Sequence, residues 1–254
     1  MEGRCWKHKN IPDSSGRSKE TEPFLNFFRH FLIFLSALLQ DVLETRIEPS
    51  LFLAAAVLGY VLGSIPTAYL AVRLQAKKDI RELGSGNVGT LNSLQVTGSK
   101  LVGVLVLLGD FLKGFLAAVL AGSFFNGDFG MMATAGVSSV AGHNFPVWLG
   151  FRGGRGLATA AGVNSLLCPL SLPVWGVMWA VGFAATRKVN VANALASSIF
   201  LLLFVILPGA TLAMLAPGQT DQGVFRMFGI ALFLIILSKH IQPLRTYFRE
   251  RNPS

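Results

Sequence analysis

Charge is what this chain has least of. Asp, Glu, Lys and Arg make up 14% of its 254 residues, where soluble domains carry about a quarter. Hydrophobic residues reach 52% and the mean hydropathy is +0.55. Too little polar surface remains to wrap a core in water, which excludes a soluble globule, a disordered chain and a collagen. Cysteine is nearly absent, and Cys5 and Cys168 form neither a disulfide framework nor a metal cluster. The four histidines show no metal-ligand spacing, and no nucleophile elbow occurs. No metal or other cofactor is expected. What is present is apolar sequence in long runs, with 20 Phe and 27 Gly. The expectation is an all-α polytopic membrane bundle.

From residue 51 the apolar runs suggest seven spans: Leu51–Leu74, Leu101–Phe125, Met131–Leu149, Leu157–Leu167, Leu172–Thr186, Val191–Leu207 and Gly223–Ser238. The fourth and fifth are short, and Cys168-Pro169 separates them, so a re-entrant or tilted hairpin is an alternative there. Residues 1–23 read as a disordered tail. The apolar segment 24–42, interrupted by Arg29, His30 and Asp41, reads as an interfacial helix or an eighth span. The expected organisation is an N-terminal extension over 1–50, a membrane domain over 51–240 and a basic tail over 241–254.

Net charge divides unevenly along the chain. Residues 1–50 hold seven basic and seven acidic side chains, whereas residues 51–254 hold 15 and six, which is the whole net +9. Twelve of those 15 fall in alternate loops and the tail, while loops 126–130, 168–171 and 208–222 hold none. The positive-inside rule places the basic loops and the C-terminus in the cytoplasm. The basic residues sit in short loops, with no basic helix or aromatic-rich face, so nucleic acid is not an expected partner. Membrane lipids and an anionic substrate are.

Three groups in this sequence can do chemistry. Phe151–Gly156 reads FRGGRG, with Gly153, Gly154 and Gly156 interleaved with Arg152 and Arg155 ahead of an apolar helix. Such a turn can aim backbone N–H groups at a phosphate and add guanidinium donors. It can equally be a tight helix connection with positive anchors. The stretch Gly84–Asn92, with Ser85, Asn87 and Asn92, is a second Gly/Asn/Ser nest or simply a polar loop. Asp110 and Lys113 share one face of the second span. They form either a structural ion pair or a lysine poised for a buried anion. His143 lies near the end of the third span and reads most simply as a packing residue.

Together these segments resemble the acyl-phosphate:glycerol-3-phosphate acyltransferases of bacteria. The resemblance runs over about 190 residues through GSIPTAYL from Gly63, DIRELGSGNVG from Asp79 and DFLKG from Asp110. It continues in GHNFPVWLGFRGGRGLAT from Gly142 and TRKV from Thr186, then enters the basic tail. It implies a seven-span enzyme of the bacterial inner membrane with cytoplasmic site loops. The implied reaction moves a fatty acyl group from acyl phosphate to the 1-hydroxyl of glycerol 3-phosphate, yielding lysophosphatidic acid and phosphate. It casts Ser85, Asn87, Lys113 and His240 as catalytic, and Arg152, Gly153, Gly154, Arg155 and Gly156 as the phosphate site. Asn92, Asp110, His143, Arg187 and Asn193 would support them.

The chain departs from the family pattern at several polar positions. Gln95 stands where an arginine is usual, Asn190 and Asn193 where serines are, and Pro243 where an asparagine is. A neutral amide supplies neither the charge nor the rigid fork of a guanidinium. A catalytically silent paralogue with a lipid-binding or regulatory role is therefore an alternative. An organic-anion transporter is a weaker one, since no inverted repeat is visible.

Overall fold

Proline, glycine and short capping side chains punctuate the apolar runs and decide where each helix stops. A computed structural model describes residues 49–251 apart from 216, 217 and 219. The expected tail 1–23 and apolar segment 24–42 lie outside the described residues. Within them the chain is all helix and turn, with no strand. The helices are α1 (Pro49–Gly63), α2 (Thr67–Ala76), α3 (Thr90–Thr97), α4 (Lys100–Phe124), α5 (Phe129–Asn144) and α6 (Leu157–Leu167). There follow α7 (Ser171–Thr186), α8 (Val189–Ile206), α9 (Gly209–Ala213), α10 (Gln222–Ser238) and α11 (Ile241–Arg251).

Side-chain caps open three of the helices. Ser99 accepts from the Val102 amide, Asp128 from Met131 and Asp221 from Val224, satisfying N–H groups that a helix start leaves without partners. Two helix crossings then depend on the absence of side chains. On α1, Gly59 and Gly63 lie directly on the α5 backbone at Ala135 and Ser139; across α4 and α6, Gly114 abuts Thr159 and Gly162 abuts Phe111. A Cβ at any of the four would strike backbone, so these pairs approach as small-residue crossings do. Behind them a phenylalanine cluster joins α8 and α10. Phe200 stacks on Phe233 with ring centroids 5.2 Å apart, and Phe204 tilts against Phe225 at 5.5 Å.

The expected seven spans are not what the helices support. Three are long and apolar enough to cross a membrane: Pro49–Ala76 taken through its break, Lys100–Phe124 and Val189–Ile206. Gln222–Ser238 with Ile241–Arg249 makes a fourth if that pair, bent by 47°, counts as one. Hydrophobicity ran further than helix did. The run Met131–Leu149 stops being α-helical at Asn144, because Pro146 disfavours helix at the preceding residue and Val147–Leu149 forms only an apolar 3-10 turn. At ~1.5 Å per residue α6 reaches about 16 Å, and α5 and α7 about 24 Å each, short of a ~30 Å hydrocarbon core.

Arg226 lies at the end of the bundle away from the basic loops, where it caps α8. Its guanidinium donates to the carbonyls of Phe204, Val205 and Leu207, acceptors that a helix C-terminus leaves open, and a cation there complements the helix dipole. Arg226→Met is expected to cost about 1–3 kcal/mol, the usual worth of charged hydrogen bonds. Thermal unfolding in detergent would register this as a lowered midpoint, and an unchanged midpoint would show the cap to be idle.

Candidate active site

The loop between α2 and α3 is built around one buried amide. Asn92, 1% exposed, donates through Nδ2 to the carbonyls of Ile80, Leu83 and Asn87 and accepts the Ser85 amide on Oδ1. Glycines at positive φ, Gly84 at 57° and Gly86 at 68°, let the chain wrap that side chain. The loop is then pinned to its neighbour. Arg81 pairs with Asp79 at 2.6 Å and donates to the Leu149 carbonyl at 3.2 Å, while Arg152 reaches the Arg81 carbonyl at 3.4 Å. Arg81, beside it, holds the Asp79 carboxyl below the usual carboxylate range.

The FRGGRG turn meets this loop at Gly154. The Gly154 amide donates to the His143 carbonyl at 3.1 Å. A Cβ on Gly154 would collide with His143 Nε2 and the Val88 carbonyl. The α5 terminus, the first loop and the turn therefore converge on one glycine. Gly156, at φ 79°, leads the chain into α6 and lies against Asn144.

Under the turn lies a buried polar cluster. Asp110, Lys113 and His143 are 2%, 6% and 7% exposed. Lys113 Nζ stands 2.9 Å from Asp110 Oδ1 and 3.0 Å from the Ile65 carbonyl. Thr67 donates its hydroxyl to the same carboxylate, and His143 Nδ1 lies 3.4 Å from it. These groups, with Val88 and Gly153, line a narrow cleft of about 190 Å³ including its open mouth.

On its other side the turn meets α8 and the residues that follow α10. Arg155 donates to the side-chain oxygen of Asn190 in the first turn of α8. Burial pulls its guanidinium below its ordinary value, although an arginine stays charged regardless. His240 is fully buried, with Nδ1 2.9 Å from the Ile236 carbonyl and Nε2 without a partner. The charge of Arg155 acts on it. Asn144 ties α5 to α10 through the Ile235 carbonyl at 3.0 Å.

The sequence-derived candidates thus fall into groups. Gly153, Gly154, Arg155, Gly156, Asn92, Asp110, Lys113, His143 and His240 come together around the turn. Ser85 and Asn87 lie on the wrapped loop, where the Ser85 side chain is exposed. Arg152 is exposed and braces that loop, and Asn193 is buried one turn beyond Asn190. Arg187 is exposed at the left-handed end of α7, at φ 55°, and bonds to none of the others. Lys113 is committed to Asp110 and Ile65, which favours the structural reading of that pair. Thr67, Arg81 and Asn144 were not expected to take part, and Asn190 was noted only as a departure from the family pattern. The first three lie inside the recognised segments, but only the packing reveals their partners.

Comparison with known proteins shows the family. Residues 53–250 match the family model described as glycerol-3-phosphate acyltransferase. The chain belongs to this family. The glycerol-3-phosphate acyltransferase of Gluconobacter oxydans is 38% identical over 196 residues, which is 76% of this chain and 88% of that one. That of Erythrobacter litoralis is 40% identical over 157 residues, covering 59% and 73% respectively. The fold is similar to the crystal structure of PlsY, an integral membrane glycerol 3-phosphate acyltransferase, in its glycerol 3-phosphate form. The TM-score is 0.65 at 33% identity, covering 79% of this chain and 94% of that one. A lysophosphatidic acid form of PlsY matches at TM-score 0.64. As a family member with several membrane-length helices, the chain is a polytopic membrane protein.

The organisation of the wrapped loop can be tested directly. Asn92→Ala removes four hydrogen bonds at once, so the Ser85 amide should exchange its hydrogen at least about tenfold faster, since each lost bond is worth about 1 kcal/mol. Hydrogen exchange read by mass spectrometry on residues 80–92 checks it; unaltered exchange would remove Asn92 as the organiser.

Proposed function

We propose that this chain transfers a fatty acyl group from acyl phosphate to the 1-hydroxyl of glycerol 3-phosphate, giving lysophosphatidic acid and phosphate. The observation that carries this reading is the Gly153–Gly156 turn, which faces the Asn92-built loop and bears a guanidinium with no carboxylate partner among the described residues. Family membership supplies the glycerol 3-phosphate. An acyl phosphate is an activated mixed anhydride, so the reaction demands no acyl-enzyme. The hydroxyl oxygen bonds to the acyl carbon, the bond from that carbon to the phosphate oxygen breaks, and phosphate leaves carrying the hydroxyl's proton.

The protein's tasks are then to hold two phosphorylated substrates in register and to offset the charge that develops. Backbone N–H groups of the turn and Arg155 bind the glycerol 3-phosphate. The loop bearing Ser85 and Asn87 faces the acyl phosphate. His240 Nε2 is buried without a partner, within the influence of the Arg155 charge, and His143 lines the cleft with Nδ1 toward Asp110. The turn, the loops and the C-terminus lie on the cytoplasmic face of the bacterial inner membrane, in keeping with the one-sided basic charge. Two of the departures leave the local fold intact: Gln95 is exposed on α3, and Pro243 lies in the first turn of α11, where proline is tolerated.

Purified protein in detergent, given acyl phosphate and labelled glycerol 3-phosphate, is expected to release lysophosphatidic acid and phosphate in equal amounts. Binding of glycerol 3-phosphate without either product would mark a silent paralogue. In the active enzyme, Gly154→Ala pushes on His143 and Val88, and should raise KM for glycerol 3-phosphate about tenfold or more by displacing the turn's donors. An unchanged KM would move the phosphate site elsewhere.

A further inference from the structure

Arg155 is held in an unusual way for a buried cation. Among the described residues the ion pairs are Asp79 with Arg81 and Asp110 with Lys113 and His143. None reaches Arg155. Its partner is the neutral side-chain oxygen of Asn190, 35 residues along the chain. Half-buried guanidinium groups ordinarily gain most from a carboxylate, which binds two N–H groups at once and cancels the charge. Asn190 does neither. Its single acceptor occupies one of five N–H donors and leaves the charge uncompensated beside the Gly153–Gly156 turn.

We infer that Asn190 is the positioning residue for Arg155, fixing the direction of the guanidinium while keeping its full positive charge for the substrate phosphate. The inference rests on the proposed function for the identity of that phosphate. Position 190 must then satisfy two demands at once: the side chain must reach Arg155, and it must be neutral. An aspartate would meet the first and fail the second, because its ionised carboxylate would compete with the substrate for the same donors. An alanine would fail the first and meet the second.

Full-length wild type, Asn190→Ala and Asn190→Asp are compared in detergent by calorimetric titration with glycerol 3-phosphate and by turnover with acyl phosphate. The expected order is diagnostic. Asn190→Asp should weaken binding about 30-fold and Asn190→Ala about fivefold, the range spanned by losing a charge-assisted contact and a neutral one. In both variants kcat at saturating substrate should stay within about threefold of wild type, since the loss falls on binding. A purely structural bond gives the reverse order, because aspartate keeps the acceptor; Asn190→Asp binding better than Asn190→Ala overturns the inference. If Asn190→Asp does not accumulate, Asn190→Ala decides alone: about fivefold weaker binding supports the inference and unchanged affinity overturns it. Wild type that binds glycerol 3-phosphate without turnover sinks the acyl transfer but leaves the variant comparison decisive. Wild type that turns over while both variants bind normally sinks only the role of Asn190. Wild type that does not bind glycerol 3-phosphate sinks both.

Discussion

A buried carboxylate in the lining of the cleft sets the terms for the rest of the site. Asp110 is 2% exposed, and an isolated charge there would be prohibitively costly. It is met by the Lys113 ammonium, the Thr67 hydroxyl and the His143 ring. Those partners come from α4, α2 and α5, so satisfying one charge fixes three helices relative to one another. The histidine then carries that order upward, because its other nitrogen lies against Gly154 and its carbonyl holds the Gly154 amide. Cluster and turn are thus one object, with its charges balanced below and a cation left uncompensated above.

The helix lengths follow from the same economy of space. Glycines at the α1–α5 and α4–α6 crossings bring backbones into direct contact, with no space there for a side chain. α5 and α6 are short and stop at the turn from either side, one at Asn144 and the other starting at Leu157. The candidate loops lie between these helix ends; α6 has the bounds that hydropathy suggested, whereas α5 stops at Asn144, short of the run's end at Leu149.

Much of the site was legible in the sequence, because its parts are local patterns. FRGGRG, the Gly/Asn/Ser loop and the Asp110–Lys113 spacing each occupy a few consecutive residues, and the structure gathers them. What escaped was of two kinds. Apolar runs do not say where helix ends: Val147–Leu149 is as hydrophobic as the helix before it, yet Pro146 has already broken the ladder. Single amides also carry no pattern of their own. Asn144 finds its acceptor 91 residues away and Asn190 its donor 35 residues away, so neither partner could be read from the residues around it. The pairing of Lys113 with Asp110 was one of the two readings its spacing allowed, but its bond to the Ile65 carbonyl was not legible.

The central claim is that the buried cluster holds the turn and does not itself react. Asp110→Asn tests it most directly, since the amide keeps the shape and removes the charge that gathers Thr67, Lys113 and His143. Affinity for glycerol 3-phosphate and turnover at saturating substrate are measured on the same preparation. The account predicts that affinity falls about tenfold or more while saturated turnover stays within about threefold, the pattern of lost positioning. Normal affinity with abolished turnover would contradict it, and would place Asp110 among the groups that take part in the chemistry.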